Sequence, residues 1–310
     1  MTVDILSNVA PRNTGAHPHQ TQTAWGYKPP VGNSDDLVRI AALPRRAQEM
    51  DGTERAEAII DMVTAKYSKG KVKCECKRID PDRECVTRLR LVQALALREI
   101  AICGGLLGPI GVGHGKTLID LLAPLALAEH GIRTSVLLVP AGLVTQLVGD
   151  YTFIGQHFHM PSIVFHGNPF NATVGGAPCV HVAKYSILSR PESTTWMESR
   201  LKPQALIADE VHKLRNITTA TGHRVNAWMD AHPETLFCGW SGSVTGKKLT
   251  DYDHLARWAL RGASPMPLDT NVTIDLGRAI GSKAQENPAD GGPWMQLCRP
   301  EESLESGFRR

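Results

Sequence analysis

The chain has 310 residues, of which 42% are hydrophobic and 21% are charged, and its formal net charge is +3. This composition is that of a folded protein with room for one large or two modest domains, and it excludes a chain that is disordered throughout. The small net charge excludes a protein that is basic over its whole surface, so any nucleic-acid-binding surface has to be local.

Membrane and secretory signals are missing from the sequence. The apolar run LIDLLAPLALA ends at Glu129 and His130, before it reaches the length of a membrane span. The first residues, MTVDILSNVAPRN, have neither the basic start nor the apolar centre of a secretory signal. Seven cysteines, an odd number spread widely along the chain, are typical of reduced thiols. We therefore expect a cytoplasmic protein without a membrane partner.

The first 86 residues divide into an arm and a helical lead-in. Residues 1–34 are rich in Pro, His, Thr, Asn and Gly without apolar periodicity, which predicts a mostly disordered arm. Residues 35–86 contain two helical patterns, DDLVRIAAL before Pro44 and GTERAEAIIDMVTAKY after Gly52, and then a basic segment with cysteines. The second pattern places four apolar residues on one face: Ala56, Ile59, Ile60 and Val63.

From residue 87 to 262, short apolar runs alternate with longer helical stretches, which predicts parallel strands joined by crossover helices. Six segments have the character of strands: ICGGLLGPI, TSVLLVP, SIVFHG, CVHVAKYSILS, ALIADE and TLFCGWSGS. Helices are predicted for TLIDLLAPLALAEHG, ending at Gly131, and for AGLVTQLVGDYTFI. Residues 263–310 lose this pattern, and we expect a linker or a truncated C-terminal segment there.

The string GVGHGKT lies between a predicted strand and a predicted helix. Its glycines allow backbone amides to face a phosphate group. Lys116 is expected to contact the β and γ phosphates, and Thr117 to place its hydroxyl on Mg²⁺. We therefore predict an ATP-binding Walker A loop formed by Gly111, Val112, Gly113, His114, Gly115, Lys116 and Thr117. The strict pattern has glycine where this chain has Ile110, and the alternative is an ordinary glycine-rich turn.

Two adjacent carboxylates follow the apolar run ALIA. Ligands of α/β sheets bind at the carboxyl ends of the strands, so acids at this position favour a site over a pair of solvated acids opening a turn. Asp209 is predicted to hold Mg²⁺ through water, and Glu210 to polarise the attacking water. His212 is predicted to act with them, although a histidine is more often a packing or capping residue.

These strings carry a family resemblance. DEVHKLRN resembles the DEAH-type box of Swi/Snf-type ATPases in helicase superfamily 2, and GGLLGPIGVGHGKT is similar to that family's nucleotide loop. Four other strings follow the family's order. LRLVQ implies that Gln93 reads the adenine, and WSGSVTGKKL implies a coupling motif of Ser241, Gly242 and Ser243. LLVPAGLVTQL and AKYSILS imply contacts with the DNA backbone near Pro140, Ala141, Lys184 and Tyr185.

The resemblance covers residues 87–262 and implies the first of two RecA-like lobes. The second lobe of such motors brings an arginine that completes the ATP site, and residues 245–310 contain no such motif. An arginine of this kind contributes about 10³–10⁵ in rate to phosphoryl transfer. We therefore expect this chain alone to bind ATP better than it hydrolyses it. The second lobe is expected in a longer form of this chain or, less favoured, in a partner subunit.

The segment KCECKRIDPDREC contains three cysteines, Cys74, Cys76 and Cys85. Their spacing, C-x-C-x8-C, is irregular for a zinc site, and no fourth ligand is close in sequence, although Cys103 could fold near them. Reduced thiols are the favoured interpretation, and zinc is the alternative. The adjoining segment KYSKGKVK is basic and predicts either an electrostatic patch or a solvated linker.

Together these observations predict an α/β fold, a RecA-like P-loop NTPase lobe with a helical lead-in. Its predicted function is the ATP- and Mg²⁺-binding half of a DNA-dependent ATPase or translocase, with double-stranded DNA favoured over single-stranded DNA as the partner. One alternative is a scaffold or loader subunit that binds ATP without hydrolysing it. A P-loop kinase is a weaker alternative, because it would need an acceptor pocket and lid arginines.

Overall fold

The computed structural model describes residues 33–43, 50–70, 72–242, 251–268, 272–274 and 276. Most of the predicted arm and of the predicted C-terminal segment lies outside these residues. Among the residues described, no helix has both the length and the apolar character needed to cross a bilayer.

The structure alternates strands and helices along the chain. The strands are β1 Leu106–Pro109, β2 Thr134–Val139, β3 Ser162–Phe165, β4 Asn171–Ala172, β5 Cys179–Lys184, β6 Ala205–Asp209 and β7 Leu236–Ser241. The α-helices are α1 Asn33–Ala41, α2 Glu54–Tyr67, α3 Cys76–Ile79, α4 Leu91–Cys103, α5 Lys116–Leu127, α6 Val144–Ile154, α7 Tyr185–Leu188, α8 Ser193–Thr195, α9 Ala220–Ala231 and α10 Asp253–Leu260. A π-helical turn, Trp196–Leu201, extends α8.

The seven strands form one sheet in the order β1-β7-β6-β2-β5-β3-β4. All neighbouring pairs are parallel except β3 and β4, which are antiparallel. Because the six long strands run the same way, their carboxyl ends lie along one edge of the sheet, which we call the carboxyl edge. The α/β fold, a mostly parallel sheet flanked by helices as in a RecA-like lobe, is confirmed.

Both faces of the sheet are covered by helices. Along β2, Leu137 and Val139 belong to one buried cluster, while Val136 and Leu138 belong to the other. The two-residue period of a strand produces this division, since successive side chains point to opposite faces. Helices α2, α4, α5 and α6 contribute to the first cluster, and α7, α9 and α10 to the second. Strands covered on both faces are expected to read as continuous apolar runs, as TSVLLVP does.

The lead-in helix α2 is part of the first cluster. Its N-cap is Thr53, whose side-chain oxygen accepts a hydrogen bond from the backbone N–H of Ala56 at 3.1 Å. The four residues predicted to share its apolar face are all buried: Ala56, Ile59, Ile60 and Val63. Helix α2 packs on α4, so the lead-in and the sheet share one core.

The sequence predicts six strands, and all six are present. The strand that it misses is β4, two residues long with no apolar alternation, which pairs with the sheet only at its edge. The predicted helix after the glycine loop ends as a 3₁₀ turn, Ala128–His130, and Gly131 follows with a φ of 79°. CVHVAKYSILS divides into a strand and the short helix α7.

Truncating α2 tests whether the lead-in belongs to the core. We expect Ile60→Ala to lower the free energy of unfolding by about 2–5 kcal/mol, because Ile60 is buried and its loss leaves a cavity. Met62→Ala on the exposed face of the same helix is the control and should change it by about 0.5 kcal/mol or less. Urea denaturation followed by circular dichroism measures both. Equal effects of the two substitutions would contradict a shared core.

Candidate nucleotide-binding site

The predicted site residues come together at the carboxyl edge, where β1, β7 and β6 are neighbours. The glycine loop follows β1, Asp209 ends β6 and Ser241 ends β7. The sheet register places Asp209 beside Trp240 and Pro109 beside Ser241. Strings far apart in the sequence therefore meet because parallel strands end at one edge.

The glycine loop has the left-handed backbone that its sequence predicts. Gly113 and Gly115 have φ angles of 83° and 71°, a region that glycine adopts without strain. A Cβ atom at Gly115 would also lie 2.5 Å from Nε2 of Gln93. The loop ends where α5 begins at Lys116, so the free backbone N–H groups of the first helical turn border it.

Gln93 holds this loop in place by hydrogen bonds to its backbone. It is 4% exposed, its Oε1 accepts a hydrogen bond from the N–H of Arg90 at 2.8 Å, and its Nε2 donates to the carbonyls of His114 and Gly115. Arg90 adds a hydrogen bond from Nη1 to the carbonyl of Gly113 at 2.6 Å. Both polar groups of Gln93 thus bind the backbone in this structure, and its predicted contact with adenine stays a prediction.

An ion pair joins the loop to the acidic strand end. Nζ of Lys116 lies 3.0 Å from Oε1 of Glu210, and both side chains are mostly buried. The second carboxylate oxygen of Glu210 accepts a hydrogen bond from Oγ of Ser241 at 2.7 Å. Nδ1 of His212 lies 2.8 Å from the same hydroxyl and 3.2 Å from Oε2 of Glu210. Four predicted site residues therefore form one contiguous polar network.

Glu210 has an unusual backbone conformation. Its φ of 55° and ψ of 52° lie in the left-handed region, which costs a residue with a side chain on the order of 1 kcal/mol or more. Burial raises the pKa of its carboxyl, but the hydrogen bonds from Ser241 and Lys116 outweigh burial and lower it overall. The carboxylate is thus ionised near neutral pH, the form that can polarise a water molecule or accept a proton.

Asp209 differs from its neighbour. It is 3% exposed, and its Oδ1 is buried without a hydrogen-bond partner among the described residues. Burial and the charge of Glu210 raise its pKa to about 6, although Lys116 opposes the shift. A buried carboxylate oxygen without a donor is costly unless something binds it, and carboxylates are the ligands that Mg²⁺ prefers. This unsatisfied oxygen and the loop beside Lys116 fit the Mg²⁺ and ATP predicted from the sequence, with Thr117 as the other predicted metal ligand.

Asp120 is a second buried acid near the site, and it was not among the residues predicted from the sequence. It is 2% exposed on α5, one turn after Lys116, and accepts a hydrogen bond from Nε1 of Trp240 at 3.0 Å. Burial, together with the charge of Asp209, raises its pKa well above the usual value. The signal was present, because Asp120 is the single polar residue after Thr117 in the helix sequence KTLIDLLAPLAL.

The residues predicted to contact nucleic acid do not all lie at the surface. Tyr185 is buried, and its hydroxyl donates to the carbonyl of Asp209 at 2.6 Å, so it supports the acidic strand end from the interior. Tyr185 therefore does not belong to the predicted DNA surface. Pro140 and Lys184 are half-buried and Ala141 is exposed, at the ends of the neighbouring strands β2 and β5.

The predicted coupling motif is described only in part. Ser241 is buried within the network above, while Gly242 is exposed beside the glycine loop, where an added Cβ would lie 3.5 Å from the backbone nitrogen of Val112. Ser243 lies outside the described residues. Val112 and His114 are exposed at the tip of the loop.

No protein-family model and no curated protein matches the chain. Solved structures do. The Sulfolobus solfataricus SWI2/SNF2 ATPase core in complex with dsDNA is 13% identical with a TM-score of 0.37, and the match covers 70% of this chain and 41% of that chain. The UvsW helicase from bacteriophage T4 is 18% identical with a TM-score of 0.39, over 61% of this chain and 67% of that one. Similarity at these values does not indicate a function for this chain.

The raised pKa of Asp209 predicts a pH-dependent stability difference. The folded chain holds this proton more tightly than the unfolded chain, so ionisation costs stability as the pH rises from about 4 to about 6, and the cost is constant above pH 6. Without Mg²⁺ and nucleotide, Asp209→Asn should be more stable than the wild type above pH 6, by on the order of 2 kcal/mol. The difference should vanish toward pH 4.

Urea denaturation in EDTA at several pH values measures this difference. Asp230→Asn replaces an exposed carboxylate on α9 and controls for the change in charge. A stability difference for Asp209→Asn that stays the same from pH 4 to pH 8 would contradict the raised pKa.

Proposed function

We propose that this chain is the ATP-binding lobe of a helicase-like, DNA-dependent ATPase that couples ATP hydrolysis to movement on DNA or to its remodelling. The observation that carries the proposal is the network in which direct contacts join Lys116, Glu210, Ser241 and His212 at the carboxyl edge. Beside it lies Asp209, whose Oδ1 has no hydrogen-bond partner among the described residues. A glycine-rich turn without a function would not need a lysine, an acid, a serine and a histidine in contact.

The residues of the network have distinct roles in this proposal. The backbone amides of the glycine loop and Nζ of Lys116 bind the phosphates of the substrate ATP, and Thr117 and Asp209 hold Mg²⁺, which neutralises phosphate charge. When Lys116 turns to the phosphates, Oε1 of Glu210 loses its partner in this structure. Glu210 then orients the attacking water and accepts its proton, while the hydrogen bond from Ser241 still favours its ionised form.

His212 and Ser241 connect this chemistry to the rest of the lobe. Both contact the Oε2 side of Glu210, and Ser241 ends β7 directly before the segment that contains Gly242. A change in the charge or position of Glu210 therefore alters the hydrogen bonds of both residues. This is a physical route from the phosphates to the end of β7, and we assign it the coupling role.

The proposed DNA surface is the part of the carboxyl edge formed by β2 and β5. Lys184 is in register with Val139, the residue before Pro140 and Ala141, and β2 lies next to β6 in the sheet. Nucleotide and DNA would thus bind to neighbouring strand ends of one rigid sheet. A second RecA-like lobe, in the same longer chain or in a partner subunit, would complete the nucleotide site with an arginine.

Substitutions at Lys116 and Glu210 separate binding from hydrolysis. Lys116→Ala removes the cation that neutralises the phosphates, so we expect it to abolish ATP binding and hydrolysis. Glu210→Gln keeps the size of the side chain but cannot accept a proton. We expect it to retain ATP binding and to lower the hydrolysis rate by about 10²-fold or more.

A fluorescent ATP analogue measures binding, and phosphate release with and without double-stranded DNA measures hydrolysis. Both assays should use this chain and the longest native reading frame that contains it, with Lys66→Ala, at an exposed ion pair with Glu129, as the control. DNA-stimulated hydrolysis that needs Glu210 supports the proposal. ATP binding without hydrolysis in every form would favour the scaffold alternative, and no ATP binding would refute both.

Two lysines at opposite edges of the sheet test the DNA surface. Lys184 ends β5 at the carboxyl edge, whereas Lys202 lies before β6 at the other edge. We expect Lys184→Ala to weaken DNA binding for all sequences and to reduce the slope of log K against log salt by about 1. Lys202→Ala should leave both unchanged. Fluorescence anisotropy over a salt series measures them, and equal effects would place the DNA elsewhere.

A further inference from the structure

The cysteine segment between α2 and α4 folds against the end of α6. Cys74, Cys76 and Cys85 are brought together there with a fourth group, His157, and the four ligand atoms all lie within 4.8 Å of one another. His157 lies 72 positions after Cys85 in the chain, so sequence proximity could not reveal it. Cys103, the fourth ligand considered from the sequence, is not in this cluster.

The distances suit a tetrahedral ion. Sγ of Cys74 and Sγ of Cys85 are 3.6 Å apart. An ion with metal–sulfur bonds of about 2.3 Å in tetrahedral geometry holds two sulfurs about 3.8 Å apart. A disulfide would instead bring the sulfurs to about 2.05 Å, and all three cysteines are free.

His157 gives an independent indication of a ligand. It is 5% exposed, and its Nε2 is buried without a hydrogen-bond partner among the described residues. Leaving a buried polar nitrogen unsatisfied costs about 1–3 kcal/mol, and metal coordination would remove that cost. The backbone of His157 is held in place, since its carbonyl accepts a hydrogen bond from the N–H of Lys69 at 2.8 Å.

Contacts around the cluster also hold the two segments against each other. Ser68 and Phe158 form an antiparallel bridge, and the N–H of His159 donates to the carbonyl of Tyr67 at 2.9 Å. Arg83 forms an ion pair with the buried Asp150 and lies over the ring of Phe153, 4.2 Å from its centre. The cluster is therefore part of a defined interface between the lead-in and α6.

We propose that Cys74, Cys76, Cys85 and His157 form a structural zinc site that fastens the lead-in to the lobe. Zinc binds thiolates and imidazole, whereas Mg²⁺ and Ca²⁺ prefer oxygen ligands. Four protein ligands leave no open position, so the site stabilises the fold and takes no part in the ATPase chemistry. The zinc site shares no residue with the nucleotide site, and its test does not depend on the proposed function.

Metal content of the full chain, purified without chelator, tests the site. Wild-type protein should contain about one zinc per chain by plasma mass spectrometry. Cys76→Ser and His157→Gln should lower this to near zero. Cys103→Ser and His159→Gln replace exposed residues of the same types outside the cluster and should keep the zinc. Wild-type protein without zinc, or Cys76→Ser and His157→Gln protein that keeps it, would overturn the proposal.

Cobalt provides a second measurement that needs no variant, in case the ligand substitutions prevent folding. Wild-type protein loaded with Co²⁺ should show the strong visible bands of a tetrahedral ion and a near-ultraviolet thiolate-to-cobalt band. Stoichiometric addition of zinc should remove both. Weak bands of an octahedral ion, no cobalt uptake, or a Cys74–Cys85 disulfide found by mass spectrometry would each refute the site.

Discussion

The ion pair between Lys116 and Glu210 is the contact on which the organisation of the site depends. It joins the first residue of α5 to the residue after β6, two points that are 94 positions apart, and it lies where these elements meet at the carboxyl edge. A lysine at this depth needs a negative partner, because a mostly buried cation without one is expensive. The same lysine could exchange the Glu210 carboxylate for a phosphate, which is also negatively charged. In the proposed function, a bound triphosphate would take over Lys116 and so rearrange this network.

The acids behind this ion pair explain why the surrounding core is not purely apolar. Asp120 and Asp209 are both buried, and burial raises the pKa of each carboxyl. The charge of Asp209 raises the pKa of Asp120 further, and the charge of Glu210 raises that of Asp209. Two aromatic side chains contact these residues. Trp240 donates to the carboxylate of Asp120, while Tyr185 donates to the backbone carbonyl of Asp209. Neither donor satisfies Oδ1 of Asp209. A fold selected for stability alone would favour apolar groups here, and the proposed binding of Mg²⁺ gives a reason for retaining these acids.

Much of the lobe could be predicted from the sequence because its signals are local. Apolar runs marked the six parallel strands, and the glycines marked the loop, since both depend on neighbouring residues. The features that were missed depend on tertiary contacts. Asp120 acquires its importance only from the approach of β6 and β7 to α5, and Tyr185 points inward because its hydroxyl finds the carbonyl of Asp209. His157 could not be assigned to the cysteines because the segment that carries it joins them only after the chain has folded.

Helix α6 connects the two ends of the lobe. It begins just after Pro140 and Ala141, at the proposed DNA surface, and ends just before His157, at the cysteine cluster. Eleven helical residues span about 16 Å, so the two sites are separated by the length of this helix. The lead-in also packs on α4 through α2, and Gln93 of α4 binds the backbone of the glycine loop. Attaching the lead-in at His157 would thus restrain the C-terminal end of α6. The packing of α2 restrains α4. A rigid support for both the nucleotide loop and the proposed DNA surface is what coupling between them requires, because a displacement at one strand end is transmitted only if the elements between the sites do not yield.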